Sequence, residues 1–425
     1  MPPRGSTERR RGRVTEAAAA AEDALISLPP EVLDGILTRV GIRDAVRTSA
    51  LSRAWRHRWE ALPSLDLCFP RRECAREGLE VVDGILLRYP GRVRLFEADL
   101  DGLYAGRIHD WLRVLSRRGV EILDLSFSDV FPALPSSVFS CRRLTSLTLR
   151  GCAIPLLPAG FMAFPELRRL ILVDVQLQQN GEYQLEEIIE TSPLLEHLHL
   201  TDVRFGTCVR EWVIRAPNLT HLTASSEISG FCILKELTSL CSAHIFVAGF
   251  LVHHSFAKFL SGLAQITELL LVLGNVPSSA LMPERLLCTF HNLKSLELDL
   301  LFCKQPHMLT LCLLKSAPNL EKLKTEICGE TELEFEENGE LLNDFWSDGM
   351  CANLQLVKIS GISWHPNEMS FIELILSKAR LLRTLWISQQ EEIMMSTQEA
   401  LYELLAYKRA SAEAQVLIKG EGEGY

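Results

Sequence analysis

Four histidines are the first residues in this chain with the types and spacing to do chemistry. His197 and His199 stand two residues apart, so on a strand both side chains leave the same face. His221 and His244 fall at corresponding places in the stretches that follow. Imidazoles arranged this way could hold a metal ion, but no third ligand with the spacing of known zinc sites accompanies them. The chain has twelve cysteines and none stands in a C-x-x-C pair. Most fall inside hydrophobic periodic segments and are expected to be reduced, buried small hydrophobes. A reactive thiol needs an electropositive setting, and the sequence offers no sign of one. G-x-S-x-G, H-E-x-x-H and Walker loops are all absent. No catalytic residue, metal or cofactor is expected, which leaves recognition as the chemistry of the exposed side chains.

A repeat spaces those histidines. From about residue 120, apolar residues recur at i, i+3 and i+5. The series runs from Val120-Leu123-Leu125, Leu144-Leu147-Leu149, Leu167-Leu170-Leu172 and Leu195-Leu198-Leu200 to Leu354-Val357-Ile359 and Leu382-Leu385-Ile387. Most intervals fall within the roughly 20–29-residue period of leucine-rich repeats. In L-x-x-L-x-L the closing L-x-L alternates, which predicts a short strand with one face buried. One repeat buries only half its apolar surface, and stacking buries the rest. Leu185 to Ile189, Phe256 to Leu260, Leu311 to Leu314 and Phe371 to Leu376 predict helices between strands. Pro193, Pro217 and Pro318 precede strands, where proline ends a helix and favours extended backbone. The predicted fold is α/β, a curved leucine-rich-repeat solenoid of the right-handed α/β horseshoe type.

Side chains two, four and six places after the frame residue point away from the buried leucines. They include Arg169, Ile171, His197, His199, His221, His244, Phe246, Glu268, Glu297, Lys322, Lys324, Lys358 and Trp386. This polar, partly aromatic surface is expected to bind a protein substrate. Cys152 and Cys328 occupy a later frame position that often carries Asn or Cys to satisfy turn backbone. Most other repeats have Val, Ile, Ala or Leu there, which predicts looser hydrogen bonding between repeats. The interval between Leu320 and Leu354 is rich in Glu and Asp. It is expected to be a solvated insertion, or else an attractor of a basic substrate.

A different pattern precedes the array. Pro29 and Pro30 suit a helix start. Val32, Leu33, Ile36, Leu37 and Val40 recur at helical spacing, and Gly41 stops the helix. Asp44 can cap a second short helix, and Ser52 a third with Trp55 and Trp59 on one face. Three short helices in about 40 residues bury too little to stand alone, so a partner or the rest of the chain must complete them. The tryptophan pair belongs either to the partner-facing surface or to the module's own core. Beyond it, Val81 to Leu87 predicts a helix and Val93 to Leu100 a degenerate strand.

The net charge of −10 argues against nucleic acid as the main partner. Arg4, Arg9, Arg10, Arg11 and Arg13 could be a nuclear address, though a solvated basic arm is the stronger reading. No apolar run approaches the roughly 18–20 residues needed to cross a bilayer. No membrane is expected, and the location is expected to be cytoplasmic and/or nuclear.

The run Leu28-Pro29, Val32-Leu33, Ile36-Leu37, Asp44 to Ser49, Leu51-Ser52-Arg53 and Trp55/Trp59 resembles the F-box. The repeats, with Cys351 to Ile359, Phe371 to Leu376, Leu382 to Ile387 and Tyr407 to Ser411, resemble plant F-box/leucine-rich-repeat proteins of the FBD class. That resemblance implies a substrate receptor of an SCF-type ubiquitin ligase. The F-box would dock a Skp-type adaptor, and through it a cullin-RING assembly, while the repeats bind an unknown protein substrate. Carried over, the adaptor face is Leu28, Pro29, Val32, Leu33, Ile36, Leu37, Val46, Leu51, Trp55 and Trp59. The alternatives are a small-molecule-dependent co-receptor of the plant hormone-receptor type and a non-ligase protein-binding scaffold. The expected division is a disordered basic arm at 1–23, the F-box at 24–66, and a linker and N-terminal cap at 67–119. Leucine-rich repeats follow at 120–345, then an FBD segment continuing them at 346–415 and a flexible tail at 416–425.

Overall fold

The structure, a computed structural model, describes residues 29–37, 39, 42–48, 55, 58–62, 64–69, 76–101, 106–128, 131–178, 180–206, 212–225, 233–248, 258–274, 288–300, 306–327, 350–390 and 395–419. It forms two compact units, Met1–Leu147 and Thr148–Tyr425.

The first unit runs α1 (Pro30–Leu37), α2 (Ile42–Arg47), a 3-10 turn (Arg58–Ala61), β1 (Ser64–Phe69), α3 (Arg76–Arg88), β2 (Arg92–Leu100), α4 (Ile108–Arg117) and β3 (Ile122–Phe127). Trp59 lies in a 3-10 turn where sequence predicts a third α-helix. Pro63 follows closely, and proline disfavours α backbone in the residue before it. β1, β2 and β3 pair in parallel, with Phe96 opposite both Leu67 and Leu123. Residues 67–119, expected to be a linker and cap, therefore supply strand–helix units of their own. Val93-Phe96-Ala98 obeys the i, i+3, i+5 frame and is fully buried. Phe and Ala in place of leucine hid that repeat in the sequence. Trp111 on α4 donates its indole N–H to Asp83 of α3 at 2.7 Å, which ties the two helices together.

The second unit begins with β4 (Ser146–Ile154) and continues through β5 (Arg169–Leu177), α5 (Gly181–Glu190), β6 (His197–Arg204), β7 (Val213–Arg215), β8 (His221–Ser225), β9 (Ile233–Lys235), β10 (Ser242–Ala248), β11 (Glu268–Gly274) and β12 (Ser295–Asp299). It ends with α6 (Pro306–Ser316), β13 (Lys322–Glu326), β14 (Leu356–Ile362), α7 (Pro366–Lys378), β15 (Thr384–Gln389), α8 (Thr397–Ala406) and β16 (Gln415–Lys419). Its main sheet is ordered β4-β5-β6-β8-β10-β11-β12-β13-β14-β15-β16. The pairings from β5 to β16 are parallel. β7 and β9 form a separate parallel pair. Three of the predicted helical stretches lie in α5, α6 and α7. Residues 416–419, expected in the flexible tail, lie in β16, and Ser411 anchors the approach by donating to the Leu382 carbonyl at 2.7 Å. No leucine frame marks that strand, so its period is invisible in the sequence.

The repeats are stitched at the places where each strand begins. Thr220 N–H donates to Glu196 O, Cys241 to Thr220, Thr267 to Cys241, Lys294 to Thr267, Glu321 to Lys294, Gln355 to Glu321 and Arg383 to Gln355, at 2.8–3.0 Å. A second ladder uses the residue before the frame leucine. Asn218 donates to Pro193 O, Asn292 to Gln265 O and Asn319 to His291 O. The looser hydrogen bonding expected from the missing Asn/Cys positions is thus offset by asparagines elsewhere in the frame. Cys152 itself is buried, and burial pushes its thiol up to about 12. Cys328 and most of the acidic interval at 328–349 lie outside the described residues.

Gly361 sits at an irregularity between β14 and β15, with φ +80°. An added Cβ would lie 2.0 Å from the Ile327 carbonyl oxygen. Gly361→Ala is therefore expected to destabilise the second unit by more than about 1 kcal/mol, since it combines strain with a backbone clash. Denaturant unfolding of the full chain checks this.

Glu368 in the first turn of α7 is buried and accepts the His365 N–H at 2.8 Å and the Ser363 N–H at 3.1 Å. Burial raises its carboxyl to about 7, against the lowering effect of those backbone donors. A raised carboxyl binds its proton more tightly in the folded state. Its contribution is therefore fully present below the ordinary carboxylate range and is lost as pH rises through about 7. Glu368→Gln is expected to remove a pH-dependent component of stability of roughly 3 kcal/mol between about pH 4 and pH 8. Unfolding curves of both proteins across that window measure the difference.

Candidate functional site

The N-terminal module divides its apolar residues between an inner and an outer surface. Leu33 and Leu37, one turn apart on α1, are buried, as are Ala45, Trp55 and Trp59. α1 packs on the 3-10 turn that carries Trp59, and α2 packs on β1. Trp59 stacks on Tyr89, with ring centroids 6.3 Å apart and planes 22° apart. Tyr89 donates its hydroxyl to the Leu62 carbonyl at 2.8 Å, and the Arg118 guanidinium lies 5.9 Å from the Tyr89 ring centre. Burial, partly opposed by Arg118, pushes the Tyr89 hydroxyl up to about 12. The rest of the unit therefore completes this side of the module. Trp55, Trp59, Leu33 and Leu37, expected at the partner face, stand in its core.

The outer surface is different. Val32 is 45% exposed and Ile36 is 40% exposed, again one turn apart on α1, with Pro29 exposed at the helix start. Val46 on α2 is half-buried. Leu28 and Leu51 lie outside the described residues. Two partly exposed β-branched side chains on one helix make an apolar ridge that nothing among the described residues covers. The ridge was legible in the spacing, but sequence alone did not separate it from the buried Leu33/Leu37 stripe beside it.

In the second unit the frame leucines are buried, and the intervening side chains form lateral rows across the opposite face. One row is Arg169, His197, His221, Ser242, Glu268, Ser295, Lys322, Leu356, Thr384 and Gln415. The next is Ile171, His199, Thr223, His244, Leu270, Glu297, Lys324, Lys358, Trp386 and Leu417. Phe246 stands in the third row, opposite Ser225 and Val272. All thirteen candidate substrate-binding residues are exposed or half-buried, and parallel registration brings them onto one surface.

Charge on this surface is zoned. His197 and His221 stack with centroids 4.5 Å apart. Burial lowers the His197 imidazole, with His221 and Arg169 adding to the effect and Glu196 opposing it. Burial also lowers His199, helped by Arg150 and His244. Further along, Lys324 pairs with Glu297 at 3.1 Å. Asp299 is held above the usual carboxylate range by burial and then by Glu326 and Glu297. Trp386, 41% exposed, and Leu417 supply apolar area beyond the lysines. Arg150 and Asp299 were not singled out from the sequence, although each stands six places after its frame leucine. Among the described residues, no group of three or more His, Cys, Asp or Glu is placed to hold a metal ion. Among the same residues, no helix is long and apolar enough to cross a membrane.

A helical N-terminal module followed by a parallel leucine-rich array is the architecture of an F-box/leucine-rich-repeat protein. The F-box domain model matches residues 25–66, and the model described as "FBD-associated F-box protein At5g56370, LRR repeats" matches residues 108–325. The chain belongs to this family of FBD-associated F-box proteins with leucine-rich repeats. It is similar to the Arabidopsis thaliana F-box/FBD/LRR-repeat protein At1g13570, at 29% identity over 93% of this chain and 98% of that protein. It also resembles F-box/LRR-repeat protein At2g42720 of the same plant, at 32% identity over 47% of this chain and 48% of that protein. A solved Leptospira interrogans LRR protein aligns with 85% of this chain and 91% of its own at 15% identity, with a TM-score of 0.35.

Proposed function

We propose that this chain is the substrate-recognition subunit of an SCF-type E3 ubiquitin ligase. The observation that carries the reading is the uncovered Val32/Ile36 ridge on α1, inside the segment that matches the F-box. Pro29, Val32 and Ile36 dock a Skp-type adaptor, which connects to a cullin-RING assembly. Both side chains are already more than half covered, so burying the remainder against a partner removes on the order of 100 Å² of apolar surface from water and contributes roughly 2–4 kcal/mol for the pair. Leu33, Leu37, Trp55 and Trp59 support the ridge from behind. The sheet face of the second unit holds a protein substrate, and the chain itself does no chemistry; ubiquitin transfer belongs to the partner subunits. The test is reconstitution. The full chain mixed with a purified Skp-type adaptor is expected to elute as a stoichiometric complex and to bring a cullin-RING assembly with it. Separate elution of the two at micromolar concentration would refute the reading.

A further inference from the structure

We propose that the strip of the sheet face from β4 to β10 binds an anionic segment of the substrate, bearing carboxylate or phosphate groups, and grips it more tightly as its histidines take up protons. This rests on the reading of the sheet face as the substrate surface. Arg169, His197 and His221 stand side by side on successive strands in one row, and His199 and His244 flank Thr223 in the next. Arg150 stands on β4, the strand beside β5, six places after its frame leucine. Cationic or protonatable groups are thus crowded on neighbouring strands. Among the described residues, the only carboxylates on β4, β5, β6, β8 and β10 are Asp174 and Asp202, which lie past the two histidine rows where the backbone turns to positive φ.

The nearest acids are engaged or lie at the border. Glu196 pairs with Arg168, and Asp174 with Arg204. Asp202 accepts from the Ser225 hydroxyl at 3.4 Å, and Glu268 borders the strip on β11. The His197 and His221 rings stack across the pairing of β6 with β8. Burial, His221 and Arg169 hold His197 low, with Glu196 opposing them, and burial, Arg150 and His244 hold His199 low. A bound anion reverses that balance. It supplies the missing negative charge, so protonation and anion binding reinforce each other. The opposite end of the face is mixed in sign, with Lys322, Lys324 and Lys358 set among Glu268 and Glu297 and Lys324 paired with Glu297.

The probes are three dye-labelled peptides of equal length, one rich in glutamate, one carrying phosphoserines and one neutral serine control. Their binding to the full chain with its adaptor is followed by fluorescence anisotropy. The anionic peptides are expected to bind about tenfold more tightly near pH 6 than near pH 8, and to weaken with salt. The neutral control should not bind. A preference between the two anionic peptides identifies the source of the charge. Combining His197→Gln, His199→Gln, His221→Gln and His244→Gln should flatten the pH profile, and Arg169→Gln should weaken binding at every pH. Circular dichroism matching the wild type shows that the variants are folded. Equal binding of all three peptides, or a pH profile that survives the histidine substitutions, overturns the proposal. Lys358→Ala with Trp386→Ala separates the two levels. If the anionic peptides fail to bind but this variant loses proteins that the wild type captures from an extract, the sheet face still binds substrate and only the anion assignment falls. If the peptides fail and that capture is also unchanged, both fall.

Discussion

Val32→Asp combined with Ile36→Asp is expected to weaken capture of a Skp-type adaptor by at least about 100-fold, roughly 2.7 kcal/mol, while leaving the thermal unfolding of the chain nearly unchanged. Both side chains already stand in water on the outer surface of α1, so carboxylates there cost the free protein little. At an apolar interface the same carboxylates would be buried without partners, which is strongly unfavourable. Interface energy concentrates in a few central side chains, so two substitutions on the ridge suffice. Isothermal titration of the purified full chain with adaptor measures the loss, and melting curves confirm that the fold is kept. Adaptor affinity within a factor of about three of wild type would remove Val32 and Ile36 from the interface.

Trp59→Ala acts by another route. Its ring is buried against Tyr89 and supports the 3-10 turn on which α1 packs. Removing a buried tryptophan costs roughly 3–5 kcal/mol, a large share of the stability of a small unit. The expected result is local or full unfolding of the first unit, seen as rapid proteolysis within 29–147 and loss of near-ultraviolet dichroism. Adaptor capture falls as a consequence. The two variants are separated by their folding readouts: the ridge variant resists protease like wild type, and the tryptophan variant does not. A Trp59→Ala protein as protease-resistant as wild type would place that ring outside the core.

The array was legible because its period is carried by leucine. Leu198 and Leu200, or Leu296 and Leu298, alternate with polar residues so plainly that strand, buried face and outward face follow together. The parallel pairings then place His197 beside His221 and Lys324 beside Lys358. Legibility fails where other residues do leucine's work. Val93-Phe96-Ala98 is a full frame in hydrophobic terms, yet it reads as a degenerate strand. β16 offers Val416 and Ile418 without a frame leucine, and so passed for a tail. The N-terminal module exposes a different limit. Helical spacing shows that α1 has an apolar surface, but Val32/Ile36 and Leu33/Leu37 are adjacent stripes of equal period. Which stripe turns inward depends on the 3-10 turn that carries Trp59 and on Tyr89 behind it, contacts too distant in sequence for a local pattern to carry.

The proposed docking puts a Skp-type adaptor over the outer face of α1. Hydrogen exchange of the full chain, with and without saturating adaptor, tests it most directly. Slowed exchange is expected for amides within 31–37, with the strands from β5 to β16 unaffected. Unchanged exchange at 31–37 in a demonstrably formed complex, or no complex at all, would contradict it.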